Sequence, residues 1–89
     1  EGVIIVITEI DSQTGQLIGE PDAIMRGMTF PNKEIFLKKL SESLNKTFSA
    51  RREPVRNWIY YRKTLQQRAE ELLYHDRREP LVVPVVLEI

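Results

Sequence analysis

Apolar and polar positions divide the chain into five segments. Val3 to Ile10 is an apolar, β-branched run, and apolar residues resume at Leu17 after the polar stretch DSQTG at 11–15. A short polar loop ending in glycine between two such runs predicts a hairpin. From Pro31 the period changes: Phe36, Leu40, Leu44 and Phe48 recur every four residues, with Leu37 widening the stripe, as an amphipathic helix requires. Asn32 stands where an N-cap belongs, its side-chain oxygen available to an amide two or three residues on. Pro54 breaks the pattern. A second helix is predicted from about Val55 to Asp76, with Trp58, Leu65, Ala69, Leu72 and Leu73 along one side and Pro80 beyond its end. The tail LVVPVVLEI is too rich in valine for a loop and reads as a third strand despite Pro84. Proline has no N–H for a ladder, so this strand belongs at a sheet edge or beside a bulge.

The order is β-β-α-α-β, an α+β fold in which a three-stranded mixed sheet is packed on one face by two helices. The apolar first strand suits the centre and Pro84 suits an edge, giving strand order 2-1-3 with the third strand parallel to the first. Both faces of the outer segments are apolar. In the first strand Val3, Ile5 and Ile7 alternate with Ile4 and Val6; in the third, Val82, Pro84 and Val86 alternate with Val83, Val85 and Leu87. A strand with one face in water normally alternates apolar with polar, so the second face should be covered by something outside these residues. Sequence leaves the parity open, because a bulge at Pro84 would exchange Val82 and Val86 for Val83 and Val85.

Composition narrows the chemistry. The 89 residues, 42% apolar and 29% charged, make one domain, spanning 1–89, that buries roughly 60 to 65% of its unfolded surface. Thirteen basic and thirteen acidic residues cancel, so no global field draws the molecule to nucleic acid or an anionic membrane. The longest apolar runs fall far short of the roughly 20 residues that span a bilayer, and no membrane partner is expected. The chain starts at Glu1 without a basic leader, which suggests an excised fragment.

With one histidine and no cysteine, a nucleophile–base pair or a zinc site of three or four ligands has too few parts. His75, at the expected end of the second helix, reads as a dipole partner. Glu70 and Glu71 diverge on a helix, and Glu9 and Asp11 flank a turn, so nothing favours a hard-cation site. No catalytic residue, metal ligand or cofactor is assigned to this chain. Arg51, Arg52, Arg56, Arg62 and Lys63 gather around the second helix, with Tyr60 and Tyr61 among them and Arg68, Arg77 and Arg78 following. Arginine and tyrosine together can engage phosphate and bases, so Arg51, Arg52, Arg56, Tyr60, Tyr61, Arg62 and Lys63 are candidate RNA contacts. Interleaved glutamates make a solvated helix face the commoner explanation.

One stretch, GEPDAIMRGMTF at 19–30, sets an acid, an arginine and two glycines in an apolar context. Gly19 and Pro21 suggest a turn, after which Asp22, Ile24, Arg26 and Met28 would share one strand face. Asp22 and Arg26 then lie about 13 Å apart and cannot pair directly. Asp22 should accept bonds from turn amides, and Arg26 must reach a distant carboxylate or be turned outward by a bulge at Gly27. The stretch lacks the spacing of a phosphate loop. Asp22, Arg26, Gly27, Val82, Pro84 and Val86 are therefore the candidate interface or structural residues.

GVIIVITEID with TGQLI, then PDAIMRGMTF, then REPLVVPVVLEI resemble, in order and over essentially the whole chain, the C-terminal domain of ribonuclease J, a family of the metallo-β-lactamase and β-CASP class. Glu20 between Gly19 and Pro21, Met25 in place of a serine, and Met28 in place of an aromatic depart from that pattern. The resemblance implies a parent that cleaves RNA exonucleolytically from the 5′ end and endonucleolytically with a two-zinc site in its nuclease core. It implies further that this domain supports homo-oligomer assembly and full activity, that RNA is met through the parent, and that the location is cytoplasm or plastid stroma. The competing reading is an autonomous RNA-binding module using the Arg/Tyr-rich second helix.

Overall fold

The structure, a computed structural model, describes residues 2–48, 57–75 and 77–89. Strands β1 (Val3–Ile10) and β2 (Leu17–Arg26) are followed by helices α1 (Lys33–Phe48) and α2 (Trp58–His75) and by strand β3 (Leu81–Glu88). The sheet order is β2-β1-β3, with β1 antiparallel to β2 and parallel to β3, as the apolar pattern and Pro84 predicted.

One side of each strand meets the helices. Ile4, Val6 and Ile10 of β1, Ala23 of β2 and Val82 of β3 form a single buried cluster with Phe36, Leu40, Leu44 and Phe48 of α1 and Tyr61, Leu65, Ala69 and Leu73 of α2. Leu37, Leu72 and Val86 pack at its margin. The stripe expected on α2 was rotated slightly: Tyr61, not Trp58, is the fully buried aromatic of its first turns. Phe48 and Tyr61 pack with ring centroids 4.7 Å apart, in the range favoured for tilted aromatic pairs.

The hairpin forms at 11–16. Asp11 accepts the amides of Gln13 (2.8 Å) and Thr14 (3.2 Å) on Oδ1 and that of Gly15 on its carbonyl (2.8 Å). The Tyr61 hydroxyl then donates to the Gly15 carbonyl at 3.1 Å, tying the loop to α2. At the other end of the strand pair Gly2, at φ +83°, lies so close to the β2 terminus that a Cβ would stand 2.7 Å from the Arg26 carbonyl oxygen and 2.8 Å from that of Gly27. Only glycine fits there.

Local signals govern the helix ends. The Asn32 carbonyl accepts the Phe36 amide (3.0 Å) at the start of α1. For α2 the cap is Asn57, whose Oδ1 accepts the Tyr60 amide at 3.0 Å, a position concealed by the assumption of a start near Val55. Val55 and Asp76, the expected limits of this helix, lie outside the described residues. Beyond α2, Arg78 N bonds Leu73 O (2.9 Å) and Arg77 N bonds Tyr74 O (2.8 Å), the bond pair of a Schellman closure, with Arg77 at φ +59° where glycine is usual.

Two expectations fail in the 19–30 stretch. Gly19 and Pro21 do not end one segment and start another: β2 runs through them, and the register with β1 slips there, from Glu9↔Ile18 to Ile7↔Asp22. A slip absorbed inside the strand leaves no turn to detect. Met28 does not continue the face of Asp22, Ile24 and Arg26. The strand stops at Arg26, Gly27 takes φ +72°, and Met28 folds back against the core.

Candidate functional site

With the helices on one side, the other side of the sheet stands open, and parity is now fixed. Register across β1 puts Ile5 beside Ile24 and Val83, Ile7 beside Asp22 and Val85, Val3 beside Arg26 and Leu81, and Glu9 beside Ile18 and Leu87. Directly paired residues share a face, so nine apolar side chains crowd this one. Ile24 is 41% exposed, Leu81 64%, Val83 37% and Leu87 44%, while Ile18, Val3, Ile5, Ile7 and Val85 are half-buried. Val82 and Val86 point the other way, into the helix layer, and Pro84 lies with them. The β1–β3 register is unbroken at Pro84, so no bulge exchanges the two valine pairs.

Charge appears on the open face mainly at its limits. Glu9 marks one end and Arg26 the other, and Asp22 sits on the outer strand. Asp22 does accept a backbone amide, though that of the next residue, Ala23 (2.7 Å), and it lies 3.7 Å from the Lys33 ammonium. Among the described residues no carboxylate is paired with Arg26; its Nη1 donates to the Met25 carbonyl at 2.9 Å. The two side chains do not meet each other, as their spacing on a strand required.

Of the candidate RNA contacts the structure describes Tyr60, Tyr61, Arg62 and Lys63. Arg51, Arg52 and Arg56 lie outside the described residues. Tyr61 must be removed from the set: it is fully buried against Phe48 and bonded to Gly15, so it presents no face to a base. Its period on the helix, with Leu65 and Ala69 following at four-residue steps, was the signal for this role. Tyr60, Arg62 and Lys63 are exposed. Arg62 and Lys63 share a shallow depression with Ile59, Gln66 and Pro84. Arg68 lies 3.5 Å from Glu71, and Arg78 donates to the Thr29 carbonyl (2.7 Å) with its guanidinium 5.0 Å from the Phe30 ring centre, clamping the 27–32 loop to the root of β3.

Among the described residues no three His, Cys, Asp or Glu side chains gather to hold a metal ion. His75 is an exposed residue of the last turn of α2. No helix among them is long and apolar enough to cross a membrane. Among the described residues the feature that stands out is the open apolar face of the sheet.

Comparison with known proteins gives that surface its context. The sequence profile described as ribonuclease J C-terminal domain matches residues 1–89. The chain belongs to that family. Ribonuclease J2 of Bacillus subtilis (strain 168) is 22% identical over 92 residues, a match that takes in 100% of this chain and 17% of the relative. The chain thus spans about one sixth of the length of the ribonuclease it matches, and the family's C-terminal domain is the part it corresponds to.

Proposed function

We propose that this chain is a non-catalytic assembly domain, excised from the C-terminus of a larger ribonuclease, and that the open sheet face is covered in the assembled parent. The parent is read as a zinc-dependent 5′–3′ exo- and endoribonuclease of RNA processing and decay, with its metal held by a separate nuclease core. Covering comes from that core or from a second copy, and RNA is met through the parent. One observation carries the reading: Ile24, Leu81, Val83 and Leu87 stand exposed on a continuous apolar face although the helices already supply a complete core on the other side. Soluble chains seldom leave such a patch bare. Its central part is apolar and its charges lie at the limits, the usual anatomy of a protein–protein interface.

The test is Val83→Asp together with Val85→Asp in the parent enzyme. Sedimentation should show a smaller assembly, and RNA cleavage should fall with it. An unchanged assembly with unchanged activity would overturn the reading. RNA binding by this chain alone has weaker support, since Tyr61 is withdrawn into the core. Affinity that falls steeply with salt and is lost on Arg62→Ala with Lys63→Ala would be required to restore it.

A further inference from the structure

Overall neutrality conceals a segregation of charge. Ten of the thirteen basic residues, against three of the thirteen acidic ones, fall between positions 33 and 68, so this stretch is seven charges positive and the two ends of the chain hold the balance. Its described part is α1 and the first half of α2, whereas Glu9, Glu20, Asp22 and Glu88 belong to the strands, with Arg26 as their one basic residue. The helix layer is the basic side of the molecule and the sheet the acidic one. A charge asymmetry of this kind points to an anionic partner.

Between the two helices runs a groove. One depression is lined by Lys39, Glu42, Ser43, Lys46 and Leu72, and a second by Ile35, Lys39, Leu72 and His75 among others; they share Lys39 and Leu72 and are continuous. Lys39 and Lys46, both exposed, stand two turns apart on α1, about 10 Å. Phe48 meets Tyr61 where α1 ends and α2 begins, while Asn32 and Phe36 share the second depression with His75, so the helices run antiparallel. Arg68, one turn before Leu72 on the same side of α2, therefore stands toward the Lys46 end. It carries an independent sign of a ligand: its Nε is buried and, among the described residues, is a side-chain donor without a hydrogen-bond partner. Its Nη1 has Glu71 Oε2 at 3.5 Å, the outer limit of a hydrogen bond. A guanidinium offers five N–H groups in a planar fork that suits phosphate, and an unmet donor beside a basic groove is met when an anion enters.

We infer that the α1–α2 groove receives the sugar–phosphate backbone of a single RNA strand, with Lys39, Lys46 and Arg68 each neutralising a phosphate. Cations spaced along a narrow channel between two helices match an extended chain of repeated single charges. Such contacts position a strand without reading its bases. The ribonuclease character of the family favours RNA over an acidic peptide, and in that respect the inference rests on the reading of the parent given above. Arg62 and Lys63 lie on the other flank of α2, beside Pro84, and take no part. Glu42 is the acidic residue of the lining and opposes the strand.

The experiment titrates the 89-residue chain into a labelled single-stranded RNA of about ten nucleotides and follows fluorescence anisotropy at several salt concentrations. Log affinity should fall against log salt with a slope of about −2, since each phosphate neutralised on a single strand contributes about −0.7. Lys39→Ala with Lys46→Ala, both at exposed positions, should keep the circular dichroism spectrum, weaken binding about tenfold or more at low salt and flatten the slope by about 1.4. Glu42→Gln should tighten binding, a gain that misfolding cannot imitate. Arg62→Ala with Lys63→Ala should leave the slope as it was. No binding by the unaltered chain at low salt, an unchanged slope in the Lys39, Lys46 variant, or a loss confined to the Arg62, Lys63 variant overturns the proposal. A polyglutamate peptide that binds as tightly as the RNA would mark an acidic protein segment as the occupant and overturn it too. Parent assembly should be untouched by Lys39→Ala with Lys46→Ala, and RNA affinity of the chain untouched by Val83→Asp with Val85→Asp, so the groove and the open face fail separately.

Discussion

The two faces of this sheet are built from nearly the same amino acids and meet opposite fates. Ile4, Val6 and Val82 are buried under the helices, whereas Ile5, Ile7 and Val83, their immediate neighbours, look outward. What separates them is which side the helices occupy, and that is set by the stripe Phe36, Leu40, Leu44, Phe48 and by Tyr61, Leu65, Ala69, Leu73. Hydrophobicity alone therefore does not define a core here. A face is interior when another element of the same chain can reach it, and a face of equal quality left over becomes a surface for something else.

The sharpest way to break this contrast is to charge each face in turn. Val82→Asp with Val86→Asp should lose about 3 kcal/mol or more and leave little folded protein, because an unpaired carboxylate is forced into the helix layer. Val83→Asp with Val85→Asp should keep the circular dichroism spectrum and most of the melting temperature. Equal losses from the two pairs would erase the distinction between the faces.

A smaller effect comes from the close approach of backbones where the strand pair ends. Gly2→Ala should destabilise by about 2 kcal/mol, from the left-handed conformation and the contacts at 2.7 and 2.8 Å, measured as a shift of the urea midpoint. Tyr61→Phe leaves the core packed but deprives the Gly15 carbonyl of its partner; a loss of about 1 kcal/mol, with faster exchange in the 11–16 loop, is expected. Arg77→Gly works in the other direction. Relief of the left-handed arginine should stabilise by about 1 kcal/mol, raising the melting temperature without altering sedimentation. The least effect is expected from metal: the purified chain with zinc, manganese or magnesium should release no RNA fragments, and turnover abolished by His75→Ala would contradict a non-catalytic role.

Much of this was legible in the residues because several signals agreed. β-branched runs, a four-residue period and the place of Pro84 each pointed to one arrangement, and strand order followed from which strand could tolerate a missing N–H. The parts that escaped were those where one residue type serves two ends. Gly19 and Pro21 signal a turn in most contexts, yet here they carry a register slip within a strand. Tyr61 has a polar tip that suits a nucleic-acid surface equally well as a buried bond to a carbonyl, and only its neighbours decide. Asp22 and Arg26 make their bonds to the adjacent Ala23 amide and Met25 carbonyl, local contacts that side-chain pattern does not encode.

The middle strand of the sheet is the first to be made and one of its two partners is the last, with Val3 beside Leu81 and Ile10 beside Glu88. Pairings so distant along the chain close slowly, since loop entropy must be lost before the contact returns anything. During synthesis the hairpin and both helices can gather while the sheet still lacks one side. Leu81, Val83, Val85 and Leu87 arrive only with that last strand. A sheet that still lacks this strand consequently displays only a fragment of the outward surface and has an unsealed core.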